Sequence, residues 1–299
     1  MQGELNSPTP EMTVLLHDPT SEAALPSEKS VRVLREPRTR IAEHARNVFV
    51  LVLATDLPEV SEFVSIANRR HQLRALFVKD DVNARWLPQF FERAGLRTLR
   101  NTLVHADVSV PRRVLAAWAH GAQDALIADA SAVDDTLFVV SCALDRYEVP
   151  FSTMPALKSV PEAERARFTV DEDGGYIHWP GPDVHVDLDT IRAAIDPVWR
   201  AKALAAKSTH DRRYGAAIAK LRRARGLKQS DIAGLSDRQV RRIERGQGTT
   251  HESLGRLAVA HAMELDDYLR EVAEALRQAE PDDEGPGAGV RTLAGAARE

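Results

Sequence analysis

The sequence lacks several features of secreted, membrane and metal-dependent proteins. Its 299 residues include a single cysteine, Cys142, so neither an internal disulfide nor a zinc site built from several cysteines can form. No apolar run approaches the roughly 20 residues that a membrane-spanning helix needs. The N-terminus, MQGELNSPTPEM, has neither the basic region nor the apolar region of a secretory signal. We therefore expect a cytoplasmic protein with no membrane partner.

Motifs for enzymatic chemistry are also missing. The sequence contains no GxxxxGK[ST] loop and no GxGxxG after a predicted strand, so nucleotide binding has no motif support. The acids Asp134-Asp135 and Asp171-Glu172-Asp173 are typical of turns, and no convergent carboxylate partners can be identified for them. Cys142 lies in an apolar run, which favours a small core residue over a nucleophile. We predict no catalytic residues, no resident metal and no cofactor.

Positive charge is concentrated in one short segment. The whole chain carries a net charge of −4, but residues 211–245 contain eleven basic and four acidic residues, which gives that segment +7 and leaves −11 elsewhere. An acidic chain that gathers its cations around one segment is suited to present that segment to a polyanion.

The front of the chain alternates between apolar strand-like runs and helical spacings. VFVLVLA (48–54) and LRALFV (73–78) are typical of buried strands, whereas residues 57–70, 86–96 and 110–121 have helical patterns. The middle contains strand-rich stretches around a Gly turn in FTVDEDGGYIHWP. This order predicts an α+β N-terminal and middle region, a small mixed sheet with helices.

The sequence GLKQSDIAGLSDRQVRRIERGQ (226–247) has helical spacing interrupted by the turn Gly234-Leu235-Ser236. Ile218, Leu221, Ile232, Val240 and Ile243 fit the inner faces of short helices, with Ala233 also expected inside. Gly226 and Gly246 are placed to end helices. We expect five short helices here, forming an all-α domain.

The domain boundaries follow from these changes in pattern, with KSTHD (207–211) as a polar hinge before the helical domain. We expect a partly ordered arm over residues 1–45, an α/β module over 46–135 and a strand-rich unit with a connecting helix over 136–207. A helix-turn-helix domain over 208–279 and a flexible tail over 280–299 follow.

The helical segment resembles the Cro/C1-type helix-turn-helix family, also called the XRE family. Matching residues include Gln229, Ala233, Glu244 and Gly246, together with the turn at 234–236. The resemblance covers about 60 residues and implies a lambda-repressor-like fold. Members of the family usually carry about three more residues between the positions of Ala233 and Gly234. A deletion of nearly one helical turn, which is about 3.6 residues, shortens the first motif helix. We therefore interpret the motif as a shortened DNA-binding motif that still works.

The family resemblance implies a recognition helix over about Ser236–Arg245 in the major groove of double-stranded DNA. Glu244 matches a position that braces the fold. The implied base contacts are Asp237, Arg238, Gln239 and Arg242. The implied backbone contacts are Lys228, Gln229, Ser236, Arg241 and Arg245. Arginine can bond guanine bidentately and glutamine can bond adenine in the same way.

A second resemblance covers roughly residues 100–200. FVVSCALDRYEVPF and the segment IHWPGPDVHVDL resemble the family of domain of unknown function 2442 (DUF2442), some of whose members carry a C-terminal helix-turn-helix. This resemblance implies an arrangement of domains and no chemistry. Within the same segment, His178, Asp183, His185 and Asp187 lie close together; we favour a polar strand and turn packed by Trp179 and Pro180, with a metal site as the alternative.

Together these features predict a sequence-specific DNA-binding transcriptional regulator that acts as a homodimer. The N-terminal region would serve as a sensor, an oligomerisation surface or a dock for a small-molecule or protein effector. Leu265, Leu269, Val272 and Leu276 form a stripe that could serve a partner helix. The alternative is an interaction protein, antitoxin-like or a scaffold subunit, whose helical domain binds protein. A third interpretation is an N-terminal enzyme with a DNA-targeting tail.

Overall fold

The protein is described from a computed structural model. The structure describes residues 12–27, 31–38, 41, 45–80, 86–96 and 101–278. The chain divides into two compact units, unit 1 over Met1–Pro197 and unit 2 over Val198–Glu299.

Unit 1 begins with a five-stranded parallel sheet. Its strands are β1 (Met12–Leu16), β2 (Val31–Leu34), β3 (Asn47–Leu53), β4 (Leu73–Lys79) and β5 (Thr102–His105). They lie in the order β2-β1-β3-β4-β5, and every neighbouring pair is parallel. Its helices are α1 (Leu57–Arg69), α2 (Leu87–Arg93) and α3 (Ser109–Ala119).

The apolar runs of the central strands are explained by burial on both faces of this sheet. Along β3, Val48, Val50 and Val52 pack in one core with α1 and α2. The alternate residues Phe49 and Leu51 pack in a second core with α3. The predicted combination of strands and helices is confirmed, but the sheet of this module is fully parallel and covered on both faces instead of mixed.

Where the structure describes the predicted arm over residues 1–45, part of it belongs to the sheet. Strand β1 lies between β2 and β3 in the sheet, and the residues of β1 are all buried. A five-residue run with four apolar residues gave little indication of a strand, because its role depends on pairing with β3, which begins 31 residues after β1 ends. Residues 1–11, 28–30, 39–40 and 42–44 lie outside the described part of the chain.

Two three-stranded antiparallel sheets complete unit 1. One has the order β6-β7-β8 and the other β11-β10-β9. The elements are β6 (Ile127–Val133), β7 (Thr136–Ser141), β8 (Arg146–Pro150), α4 (Pro155–Lys158), β9 (Thr169–Val170), β10 (Ile177–Trp179), β11 (Val184–Val186) and α5 (Leu188–Ile195). They share one core that includes Phe151 and Trp179.

The predicted boundary between residues 135 and 136 cuts a hairpin, because β6 pairs with β7 across the turn at Asp134-Asp135. The expectation of turn acids is confirmed there and at Asp171-Glu172-Asp173, which lies between β9 and β10. Cys142 is fully buried, and burial raises the pKa of its thiol to about 12. This confirms a core residue, since the nucleophilic form of cysteine is the thiolate.

Unit 2 is helical. Its α-helices are α6 (Pro197–Ala224), α7 (Asp237–Glu244), α8 (His251–Ala260) and α9 (Leu265–Gln278), with a 3-10 turn at Gln229–Asp231. The KSTHD segment lies within α6, so the predicted hinge at 207–211 is wrong. The stretch between Lys228 and Gly234 holds a single turn, because the shortened motif leaves no room for a full helix. The prediction of five helices is corrected accordingly, and Ala233 is exposed instead of buried.

Within the described residues, no helix is both long enough and apolar enough to cross a bilayer. The predicted tail over 280–299 lies outside the described part of the chain.

Candidate nucleic-acid interface

The short helix α7 is defined by strong signals at both ends. The Ser236 hydroxyl accepts a hydrogen bond from the Gln239 backbone amide at 3.3 Å, while the Gln239 side-chain oxygen accepts one from the Ser236 backbone amide at 2.8 Å. This reciprocal pair is a capping box. Gly246 ends the helix with φ of +73°, a conformation that favours glycine. An eight-residue helix gains its stability from such caps and from packing.

The inner face of α7 joins the core of unit 2 through Val240 and Ile243. Gly215 of α6 lies against the last turn of this helix. A Cβ atom at Gly215 would come within 2.5 Å of the Ile243 carbonyl oxygen, and one at Gly246 would come within 2.4 Å of the Asp211 backbone. Two glycines therefore allow α6 and the end of α7 to approach with backbones in contact.

A buried ion pair fixes the position of α7 further. Arg222 donates to both carboxylate oxygens of Glu244, at 2.5 and 3.2 Å, and also donates to the Leu227 carbonyl. The side chains of Arg222 and Glu244 are only 8% and 7% exposed. Gln229 donates to the same carboxylate at 2.6 Å. The structure thus places Glu244 as a brace.

The pKa of the Glu244 carboxyl reflects this network. Burial acts to raise the pKa, but the hydrogen bonds from Arg222 and Gln229 outweigh burial, and the net direction is below the ordinary value. The carboxylate is therefore ionised at neutral pH and balances the Arg222 guanidinium within the domain.

The opposite face of α7 carries cations that the fold does not use. Arg238, Arg241, Arg242 and the capping residue Arg245 are all exposed. Among the described residues, their guanidinium groups form no hydrogen bond and no ion pair. Some other arginines of the unit are paired, such as Arg225 with Glu271 and Arg270 with Asp267. Four unpartnered cations on one short helix form a surface suited to bind an anionic polymer.

The side chains of the four residues expected to contact bases differ in whether they already make contacts within the protein. Arg238 and Arg242 lie one helical turn apart on the exposed face. Asp237 is the first residue of α7, where the helix dipole favours an acid. Gln239 uses its side-chain oxygen in the capping box. Reading adenine bidentately needs that oxygen as well as the amide hydrogens, so Gln239 can read a base only by leaving the cap.

Three of the five residues expected to contact the DNA backbone line a shallow depression. Arg241 and Arg245 line a volume of about 350 Å³ together with Gln229 and Arg223. Lys228 and Ser236 are exposed, and Gln229 is half-buried with one amide hydrogen bond made to Glu244. Arg223 also lines the depression but was not expected there, and no local sequence signal identifies it, because its position depends on the packing of α6 against α7.

Comparison with protein-family models identifies the middle of the chain. Residues 129–197, from within β6 to the start of α6, match the family described as "Protein of unknown function (DUF2442)". They form a DUF2442 domain. The predicted resemblance is confirmed over this range, which is shorter than the roughly 100 residues expected. No Cro/C1-type family model supports the resemblance of unit 2. No curated protein and no solved structure matches the chain.

Proposed function

We propose that the chain is a sequence-specific double-stranded DNA-binding regulator, with α7 as the recognition helix in the major groove. The observation that carries the proposal is the set of four exposed arginines on α7 and its cap, none of which has a protein partner among the described residues. A helix of this kind, held rigidly from behind by Glu244 and Gly215, fits the way in which helix-turn-helix proteins place a second helix against base edges.

The depression beside α7 supports a division of roles. Arg223, Arg241 and Arg245 converge on it, and guanidinium groups bind phosphate oxygens bidentately. Arg238 and Arg242 lie on the exposed face and are free to enter the groove. Phosphate contacts position a protein on DNA, and base contacts supply specificity, so both roles are available within one short helix.

The alternative of a protein-binding helical domain has one observation in its favour. Leu204 of α6 is 62% exposed and Val259 of α8 is 75% exposed. Single exposed apolar residues are common on soluble domains, whereas four arginines without acid partners on eight or nine residues are not required for solubility. DNA binding is therefore the better supported function.

The sensor role proposed for unit 1 is supported by the order of its parallel sheet. The connections reverse direction between the neighbouring strands β1 and β3, and ligands of open α/β sheets bind outside the carboxyl ends of the strands at such a point. Here the fully buried Asp18 accepts hydrogen bonds from Thr20 and Ser21, and Lys79 donates to Thr20 at 2.6 Å. We propose this edge as the place where an effector binds.

A homodimer remains part of the proposal, because one reader of this size contacts few base pairs and such modules pair across half-sites about 34 Å apart. The stripe first considered for a partner helix is largely used within one chain. Val272 is fully buried, and Leu265 and Leu276 pack against the core of unit 2. The dimer surface is therefore expected elsewhere than on this face of α9.

Lys228→Ala tests the backbone-contact role. Lys228 is exposed directly before the 3-10 turn, so its loss should weaken binding to specific and random duplexes alike. The slope of log affinity against log salt should become shallower by about one unit, because one fewer counterion is released. Fluorescence anisotropy over a salt series measures the slope. Arg270→Ala on α9 is the control, and an unchanged slope for Lys228→Ala would remove this residue from the interface.

A further inference from the structure

Three polar side chains meet at the tip of the β10–β11 hairpin in the DUF2442 domain. The strands pair so that His178 lies directly opposite His185. Ile177, Trp179, Val184 and Val186 point into the core, so the alternation of side chains along each strand places both histidines on the other face.

The hairpin turn brings a carboxylate to the two rings. Asp183 has φ of +53°, a left-handed conformation that aspartate tolerates better than most residues. One of its carboxylate oxygens lies 3.6 Å from His178 Nε2 and 3.9 Å from His185 Nδ1. The imidazole rings stack with centroids 4.0 Å apart and planes at 11°. A turn of unusual conformation thus aims one oxygen at a nitrogen of each ring.

The cluster has the donor atoms and spacing of a metal site. The three donor atoms all lie within 4.8 Å of one another. Zinc bonds of about 2.0–2.2 Å to nitrogen and oxygen place neighbouring ligands of a tetrahedral site about 3.4 Å apart, so the two distances to Asp183 need to close by only a few tenths of an ångström. The His185 and Asp183 side chains are 48% and 86% exposed, which leaves them free to rotate by that amount.

His178 supplies an independent indication. Its Nε2 atom is buried and has no hydrogen-bond partner among the described residues, and leaving such an atom unsatisfied costs free energy. The atom faces Asp183 at a distance too long for a hydrogen bond. A metal ion between them would satisfy the nitrogen. Tyr176 also packs against His185 in a T-shaped arrangement, with ring centroids 5.0 Å apart.

We propose that His178, Asp183 and His185 bind one divalent transition-metal ion of the zinc class. Two imidazoles and one carboxylate suit zinc and the neighbouring first-row ions better than calcium or magnesium, which prefer oxygen ligands. Three protein ligands leave a coordination position for water or for an exogenous group, as in open zinc sites. Asp187, the fourth residue of the sequence cluster, does not join them, because its side chain caps α5 through the Thr190 amide at 2.7 Å.

The test uses the full-length chain without a histidine tag, freed of metal by chelator, and titrated with Zn²⁺ by calorimetry in the absence of DNA. We expect one Zn²⁺ per chain for the wild type. Loss of a partner that only supports a ligand lowers metal affinity by about 10–100-fold, so His185→Ala, which removes a ligand, should lower it by at least about 100-fold. Asp183→Asn, which tolerates the same backbone conformation, should also weaken binding.

His251→Ala is the matched control, since His251 is an exposed histidine at the start of α8, and its affinity should equal that of the wild type. Co²⁺ in place of Zn²⁺ should give visible absorption bands that His185→Ala abolishes. Because His185 is half exposed, the metal-free variant should retain the circular dichroism spectrum of the wild type. The proposal is overturned if the wild type shows no saturable Zn²⁺ binding, or if His185→Ala and His178→Ala both bind as tightly as the wild type.

Discussion

Arg222→Ala should destabilise unit 2 by about 3–5 kcal/mol, the usual cost of removing one partner from a buried ion pair. The Glu244 carboxylate would keep its burial and its bond to Gln229 but lose both hydrogen bonds from the guanidinium. The Leu227 carbonyl would lose a donor as well. Hydrogen exchange of the amides in α7 and α8, measured in the intact chain, would report the change in opening free energy for this unit alone.

A matched substitution distinguishes the effect of removing a buried arginine from the effect of removing a positive charge. Arg270→Ala removes an exposed arginine whose partner, Asp267, lies three residues away on the same helix, and exposed pairs contribute only about 0–1 kcal/mol. The double variant Arg222→Met/Glu244→Leu should be more stable than Arg222→Ala, because it leaves no buried charge without a partner. Equal protection factors for Arg222→Ala and Arg270→Ala would contradict the role of Glu244 as a brace.

The ion pair also shows how far sequence could specify the site. Gly246 and the inward positions Val240 and Ile243 follow local rules of helix ends and periodicity, and each was predicted. The partner of Glu244 could not be predicted in that way, because Arg222 lies 22 residues earlier on another helix. Among eleven basic residues in one segment, only the packing of α6 against α7 identifies Arg222 as the buried one and Arg223 as one that lines the depression beside α7.

The parallel sheet was predictable where a strand is buried on both faces and difficult elsewhere. β3 and β4 are long apolar runs, and both were recognised. β2 has only four residues with two exposed, so its pattern resembles an irregular segment, and its assignment depends on pairing with β1. The shortened motif gave the opposite error: a helix was expected from the family resemblance, but the local chain length permits one 3-10 turn.

Arg238→Ala and Arg242→Ala should each weaken binding to the cognate site by about 1–3 kcal/mol, or roughly 5- to 150-fold. Both residues lie on the exposed face of α7 without protein partners among the described residues, so neither change should affect folding. Loss of a base contact should leave affinity for random duplex nearly unchanged. A cognate sequence selected from a random duplex pool, followed by anisotropy titrations on that sequence and on scrambled DNA, gives both affinities.

Arg270→Ala serves again as the control, because it removes the same charge from α9, outside the proposed DNA-binding surface. Its affinity for cognate DNA should fall much less than that of the α7 variants. If Arg238→Ala and Arg242→Ala weakened binding to cognate and scrambled DNA by equal factors, α7 would bind DNA through its charge alone and without sequence specificity.

The central claim, that the basic helical unit binds DNA, is tested most directly by titrating the purified chain onto random duplex at about 50 and about 200 mM salt. If Arg223, Lys228, Arg241 and Arg245 each neutralise one phosphate, log affinity should fall with a slope of about −3.6 against log salt, so binding should be roughly 150-fold weaker at the higher concentration. An absence of binding at both concentrations, or an affinity that does not change with salt, would contradict DNA binding and favour the protein-binding alternative.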